Sequence, residues 1–385
     1  MNHSKAWCFV LLLTAFTYSA VGGPPMITNV SMVGSDPSLS LTISADVGTA
    51  NQVLSVTNLF QTNWTVLTNL VVTQSSYVFT DTVAASGSQC FYRVIDPNWP
   101  ADSPPPGMAL IPAGDFEMGN DFPNDFGDAA YEVPVHTVYI SAFYMDKYEV
   151  SYALWNQVYA WGMSNGYGFD NPGAGKATNH PVQTVSWYDV VKWCNARSEM
   201  EGLMPSYYSD TNLTQVYRTG DIAPYVIWDA GYRLPTEAEW EKADRGGASG
   251  HRFPWSNTDT ISHSQANYYA DTNDYPYDVS PTQGYNPAFA YGAMPYTSPI
   301  GSFAPNGYGL YDTAGNVWEW CWDYAGNYTS DTETDPRGPT TGTTRVGRGG
   351  NWNYFAVDCR DSYRYGDDPN HIATNIGFRT ARPVP

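Results

Sequence analysis

Cysteine is scarce: there are five in 385 residues, and once Cys8 in the N-terminal apolar stretch is set aside, Cys90, Cys194, Cys321 and Cys359 remain. So few scattered cysteines exclude a disulfide-dense scaffold. No two form a CxxC pair, so neither a zinc site nor a thioredoxin-type redox pair is indicated. Basic residues are also few, 18 Lys and Arg against 38 Asp and Glu, for a formal net charge of -20. A nucleic-acid partner needs clustered cations that displace phosphate counterions, and that class is excluded. After the N-terminal stretch no apolar run approaches the roughly 20 residues that span a bilayer. The common catalytic signatures are missing too. "GAGKA" lacks the spacing and closing Ser or Thr of a P-loop, no GxSxG elbow occurs, and His136, His180, His251, His263 and His371 form no HxxxH or HExxH pattern.

What is present begins with a leader. "MNHSKAWCFVLLLTAFTYSAVGG" has a short n-region with Lys5, an apolar run to about Ala20 and small residues suited to cleavage. Residues 1–22 are expected to be a signal peptide, which makes the mature chain exported: periplasmic, envelope-bound or secreted. An acidic exported chain rich in Asp, Asn and Gly suits calcium, because hard cations take carboxylate and carbonyl oxygens.

From residue 25 to 97 short alternating strands such as "LSLTISADV" and "SYVFTDTV" recur between turn residues, which predicts a small all-β, sandwich-like domain. Cys90 sits within its last strand, "QCFYRVID", and is expected to be buried. "DPNWPADSPPPG" then supplies a proline-rich linker, placed at 98–107. The remainder, 108–385, is rich in Trp, Tyr, Gly, Asn and Asp and poor in periodic segments. Three helices are legible: one from Ser151 to about Gly162, one after an N-cap at Ser186 running to Gly202 with Cys194 inside it, and one in "LPTEAEWEKADRGG". In the last, Thr236 and Glu239 have capping-box spacing and Gly246 closes the helix. The fold class is therefore α+β with little regular secondary structure. So loop-rich a fold needs packed tryptophans or bound cations to hold it.

Eight blocks occur in order in this second part: "MALIPAGDFEMGN", "HTVYISAFYMDKYEVSYALWNQV", "HPVQTVSWYDVVKWCNA", "YRLPTEAEWEKADRGG", "RFPWSN", "NGYGLYDTAGNVWEW", "RVGRGGNWN" and "NIGFRTAR". Together they resemble the formylglycine-generating enzyme, or sulfatase-modifying factor, family over about 108–383. The resemblance implies a variant of the C-type-lectin fold with one or two structural calcium ions. It also implies a copper- and oxygen-dependent oxidation of a cysteine, in a Cys-x-Pro-x-Arg segment of a partner sulfatase, to formylglycine. Soft thiolates select Cu(I), and the family's two lie five residues apart after the Gly-Gly pair. Counted from Gly349 and Gly350, the second position is Cys359, the expected copper ligand and redox thiol, whereas the first is Tyr354. Cys321 is the other sulfur weighed, although nothing in the spacing brings it to Cys359.

The family's calcium pattern maps onto the side chains of Asp312 and Glu319 and the carbonyls of Gly315 and Val317. A second site would use Asn267 and the carbonyl of Tyr268, but Gly292 stands where the family has an Asp. The family's peptide cleft implies substrate-binding roles for Trp318, Tyr354, Arg360 and Arg364; for Trp318 a place in the core is the other reading. Because half of the thiol pair is missing, the reading adopted is an exported recognition member of the family. The alternative is formylglycine generation. A further alternative is a ligand-binding protein with a diversified C-terminal region, since 351–375 is dominated by the Asn, Tyr, Asp, Ser and His that binding loops favour. An iron-dependent sulfur oxidase would need a histidine cluster that the scattered histidines do not provide.

Overall fold

The computed structural model describes residues 26–33, 38–44, 50–56, 65–71, 76–81, 91–95, 104–122 and 131–384. The leader expected at 1–22, the first part of the linker expected at 98–107, and Cys8 and Cys90 lie outside the described residues. The chain divides into two compact units between Ser103 and Pro104, apart from the turn Glu199–Leu203.

The first unit is all β. Strand Ser38–Ser44 lies between Met26–Val33 and Ser76–Asp81, and strand Ala50–Val56 lies between Thr65–Val71 and Phe91–Ile95; both sheets are antiparallel. Leu41 and Ile43 are buried with Thr42 between them on the other face, the period-two pattern of a half-covered strand.

In the second unit, helix α1 (Tyr152–Ser164) begins where the Ser151 side chain accepts the Leu154 N–H. It runs past Gly162 to Asn165. Helix α2 (Trp187–Met200) is buried along most of its length, and Ser186 Oγ accepts the Asp189 N–H at its start. Helix α3 (Glu237–Asp244) has the reciprocal capping box: Thr236 Oγ1 accepts from Glu239 N, and Glu239 Oε2 accepts from Thr236 N. Five small sheets complete the described part of the unit. In one, Phe143–Asp146 pairs with both Met108–Ile111 and Ala381–Pro383, joining the beginning of the unit to its end. In another, Trp318–Tyr324 pairs antiparallel with Arg345–Arg348 and parallel with Ile376–Gly377.

The loops are held by stacked aromatics and, beyond what the sequence suggested, by buried arginines. Trp155 and Trp193 stack at 5.8 Å with Phe378 edge-on to both. Glu241 on α3 receives Arg245 at 2.8 Å and Arg348 at 2.5 Å. Arg233 clasps Glu239, Arg379 clasps Glu319, and Arg197 meets Asp146. Guanidinium groups, with the buried Lys192 ammonium on Asp170 and Asp189, brace the carboxylates of this unit. Each buried carboxylate so paired is a point where loss of one partner strands a charge in low dielectric.

Candidate functional site

The segment from Arg348 onward is positioned by the strand Arg345–Arg348 and by two glycines in the left-handed region, Gly349 at φ +92° and Gly350 at φ +76°. Side chains are excluded there on a second count. A Cβ on Gly349 would lie 2.8 Å from the Thr313 carbonyl oxygen, and one on Gly350 would lie 2.6 Å from Cys359 Sγ. The chain then turns outward. Asn351 Oδ1 accepts from Asn353 N, exposing Asn353, Tyr354 and Phe355, and a short 3-10 turn, Ala356–Cys359, takes the chain back inside.

That turn decides the fate of the thiol. Cys359 is fully buried in a cluster with Phe253, Ile261, Ala266, Tyr268 and Ala270. Burial, reinforced by the carboxyls of Asp358, Asp278 and Asp244, pushes its thiol well above the usual range. These surroundings disfavour a free thiolate, and the cluster brings no second cysteine to Cys359. Cys321 sits in a different cluster with Trp240, Leu310 and Val346, and Cys194 is buried in α2. The described sulfurs do not converge.

Of the four residues expected to grip a peptide, Tyr354 alone is exposed, at 38%. Trp318 is buried, with Tyr365 and Tyr363 stacked on it and Tyr354 against it edge-on at 6.0 Å. Arg360 makes a two-pronged pair with Glu132, both bonds 2.8 Å, and Arg364 makes one with Glu237, both 2.6 Å. These guanidinium groups are committed to carboxylates that come from far upstream, where sequence spacing gives no hint of them. Two buried donors next to Tyr354, Trp318 Nε1 and Asn351 Nδ2, have no protein acceptor.

Around Tyr354 the structure assembles rings that the sequence reading passed over. Phe355 is 37% exposed and lies edge-on to Tyr269 at 5.5 Å. Tyr269 meets Tyr285 at 4.8 Å, and Tyr285 meets Tyr296 at 5.0 Å and Trp352 at 5.7 Å. The Tyr269 N–H donates to the Tyr354 carbonyl oxygen at 2.8 Å, and the Tyr285 hydroxyl donates to Asn353 Oδ1 at 2.9 Å. Two loops distant in sequence thus form one continuous, half-exposed aromatic surface. The density of tyrosine between 268 and 296 was the available signal.

The positions expected to bind calcium are partly committed. Glu319 accepts from Arg379 through both oxygens and from Trp240 Nε1 at 2.7 Å. Asp312 has φ +55°; its Oδ2 accepts from Gly301 N, whereas its buried Oδ1 has no partner. Burial pushes Asp312 up to about 6, and burial together with Asp312 and Glu319 raises the neighbouring Glu149 well above the carboxylate range. One free oxygen in a pocket with excess negative charge fits a cation, but Glu319 as paired does not. At the second expected site, Asn267 Nδ2 donates to the Tyr296 carbonyl oxygen and the Tyr268 carbonyl lies 3.2 Å from His263 Nε2. Among the described residues no group of three or more His, Cys, Asp or Glu side chains is arranged to hold a metal.

A separate cleft of about 340 Å³ lies between the segment 326–339 and the start of α3, lined by Asp323, Glu237, Arg364, Tyr328 and Arg337 among others. Asp323 Oδ2 accepts the Glu237 N–H at 2.7 Å. Burial, then the charge of Glu237, pushes Asp323 up to about 8.

No described helix is long and apolar enough to cross a membrane. Residues 96–384 match the family described as Sulfatase-modifying factor enzyme 1-like domain. The formylglycine-generating enzyme of Thermomonospora curvata is 36% identical over 298 residues, covering 71% of this chain and 93% of that protein. The chaperone protein LppX of Paenibacillus barcinonensis is 32% identical over 255 residues, covering 64% of this chain and 81% of that one. Among solved structures, Treponema denticola variable protein 1 superposes with a TM-score of 0.54 at 28% identity, covering 72% of this chain and 94% of that chain. The eight ordered blocks, the α+β fold and these matches agree: the chain belongs to the sulfatase-modifying factor family.

Proposed function

We propose that this protein is an exported recognition member of its family, binding a protein or peptide ligand on the surface around Tyr354 and Phe355 and performing no cysteine oxidation. The observation that carries this reading is the inversion at the family's thiol positions: the first holds an exposed tyrosine, and the second holds a thiol closed inside a core. A copper site built on thiolates needs soft, ionised sulfur, and burial of Cys359 opposes ionisation. Half-exposed tyrosines interspersed with Asn offer rigid contact area and adaptable hydrogen bonds, as binding loops do. Relatives that carry the names of an enzyme, a chaperone protein and a variable protein also fit a fold on which function varies with the site.

Copper would supply oxygen chemistry if a second ligand joined Cys359, and oxidation of a partner sulfatase is the competing reading. The deciding experiment incubates the reduced, full chain with Cu(I), oxygen and a Cys-x-Pro-x-Arg peptide and follows the peptide by mass spectrometry. We expect unchanged peptide; an aldehyde product that disappears in Cys359→Ala would overturn the recognition reading. Calcium is proposed as a structural ion at Asp312 Oδ1 with the carbonyls of Gly315 and Val317, and the leader at 1–22 as the basis for export.

A further inference from the structure

We propose that the ring surface around Tyr354 and Phe355 docks a basic polypeptide segment, one presenting arginine or lysine side chains, of a partner protein. The inference rests on the recognition reading and adds the chemistry of the partner.

Three observations point to a cationic partner. The first is where the local charges sit. Burial and the carboxylates of Asp358, Asp274 and Asp271 all raise the phenol of Tyr275, whose ring lies 5.7 Å from Phe355. On the other side Asp367 accepts the Tyr365 hydroxyl at 2.5 Å, with exposed Asp368 next in the chain; His371 lies 3.6 Å from Asp367. The second is where the cations have gone. Arg348, Arg360, Arg364 and Arg379 are consumed by buried carboxylates, and Arg345 is buried against the rings of Trp187 and Tyr324. Among the described residues no cationic side chain lies over Tyr354, Phe355, Tyr269 or Tyr285. The partner must therefore bring the positive charge.

The third observation is an internal precedent. At the far end of the same ring series Lys176 places its ammonium 4.7 Å from the Tyr291 ring centroid and 5.2 Å from that of Tyr296, and donates to the carbonyl oxygens of Phe289 and Tyr291. Arg252 does the same behind Tyr275, 5.4 Å from the Tyr277 ring and paired with Asp259. A cation over a tyrosine face, with carboxylate or carbonyl oxygens beside it, is how the fold itself uses these rings. The exposed rings offer the same arrangement with the cation left out. For a protein of net charge -20, the general field also draws basic partners in.

The test measures binding of short fluorescent peptides to the full chain: one alternating glycine with arginine, one with lysine and one with glutamate. Three variants are compared with the wild type: Tyr354→Ala/Phe355→Ala, Asp271→Asn/Asp274→Asn, and Asp331→Asn as an exposed acid outside the ring set. The arginine and lysine peptides should bind and the glutamate peptide should not. Affinity should fall about fivefold or more in each of the first two variants, and stay unchanged in the third. Equal loss in Asp331→Asn, or none in the ring variant, would reduce the effect to general attraction by an acidic protein and overturn the proposal. If the glutamate peptide binds in a ring-dependent way, recognition stands and the basic partner falls. If the protein instead converts a Cys-x-Pro-x-Arg peptide to the aldehyde, the recognition reading itself fails.

Discussion

A thiol with no solvent contact and no acceptor of its own behaves as a small apolar group, and Cys359 is in that position among Phe253, Ile261 and Tyr268. Replacing it with serine puts a hydroxyl where nothing accepts its proton. Cys359→Ser should therefore lose about 1–3 kcal/mol of stability by denaturant titration, and more than Cys359→Ala, which removes one atom and adds no polarity. A serine variant as stable as wild type would mean that water or a ligand reaches the site. The sequence placed this cysteine in the right loop. Its side of the loop was decided by the 3-10 turn Ala356–Cys359 and by the core it folds onto.

Helix α3 was the most legible element because its cap is local. Thr236 and Glu239 lie three residues apart, and the hydrogen bonds that such spacing announces are both present. Its other role was hidden. Glu237 receives Arg364 and Arg348, and Glu241 receives Arg245 and Arg348, so a short helix anchors the strand that launches the ring loop. The two kinds of contact should differ in cost. Thr236→Ala loses one exchangeable cap bond and is expected to cost about 1 kcal/mol. Glu241→Ala removes the closest carboxylate from two buried guanidinium groups and is expected to cost about 3–5 kcal/mol. Thermal or denaturant unfolding of both variants measures the difference, and equal losses would mean that the buried network contributes no more than the cap.

Across the whole molecule, burial raises several interior carboxyls. Burial is the leading cause that raises Asp312 and Asp358 to about 6, Asp361 to about 7 and Asp323 to about 8. In the unfolded chain these groups titrate near 4. Between about pH 4 and pH 8 the folded state therefore holds more protons, so the stability they contribute is complete below about pH 4 and is lost as pH rises through 6 to 8. Glu237 and Asp170, both lowered, act oppositely and matter only toward acid pH. The melting midpoint should fall between about pH 5.5 and 8.5. Asp323→Asn, which keeps an acceptor for Glu237 N, should flatten the alkaline part of that fall. Calcium favours ionised Asp312, so added calcium should raise the midpoint near pH 7.5 in the wild type and not in Asp312→Ala. A midpoint indifferent to calcium in both would refute the proposed calcium site.

By itself the sequence determined what depends on neighbours along the chain: the alternation that makes the N-terminal strands, the caps of three helices, the glycines of the turn at 349–350, and the ordered blocks that mark the family. Charge and cysteine content likewise argue, from the sequence alone, against a nucleic-acid partner and a disulfide-dense scaffold. Only the tertiary structure decided which way each functional side chain faces. Arg360 finds Glu132 across 228 residues of chain, and Arg364 finds Glu237 across 127. Tyr354 meets Tyr269 only because two loops pair through a backbone hydrogen bond. Burial is a property of the assembled core, and a side chain's chemistry follows from its burial: the same turn closes the Cys359 thiol inside and leaves the Tyr354 ring outside.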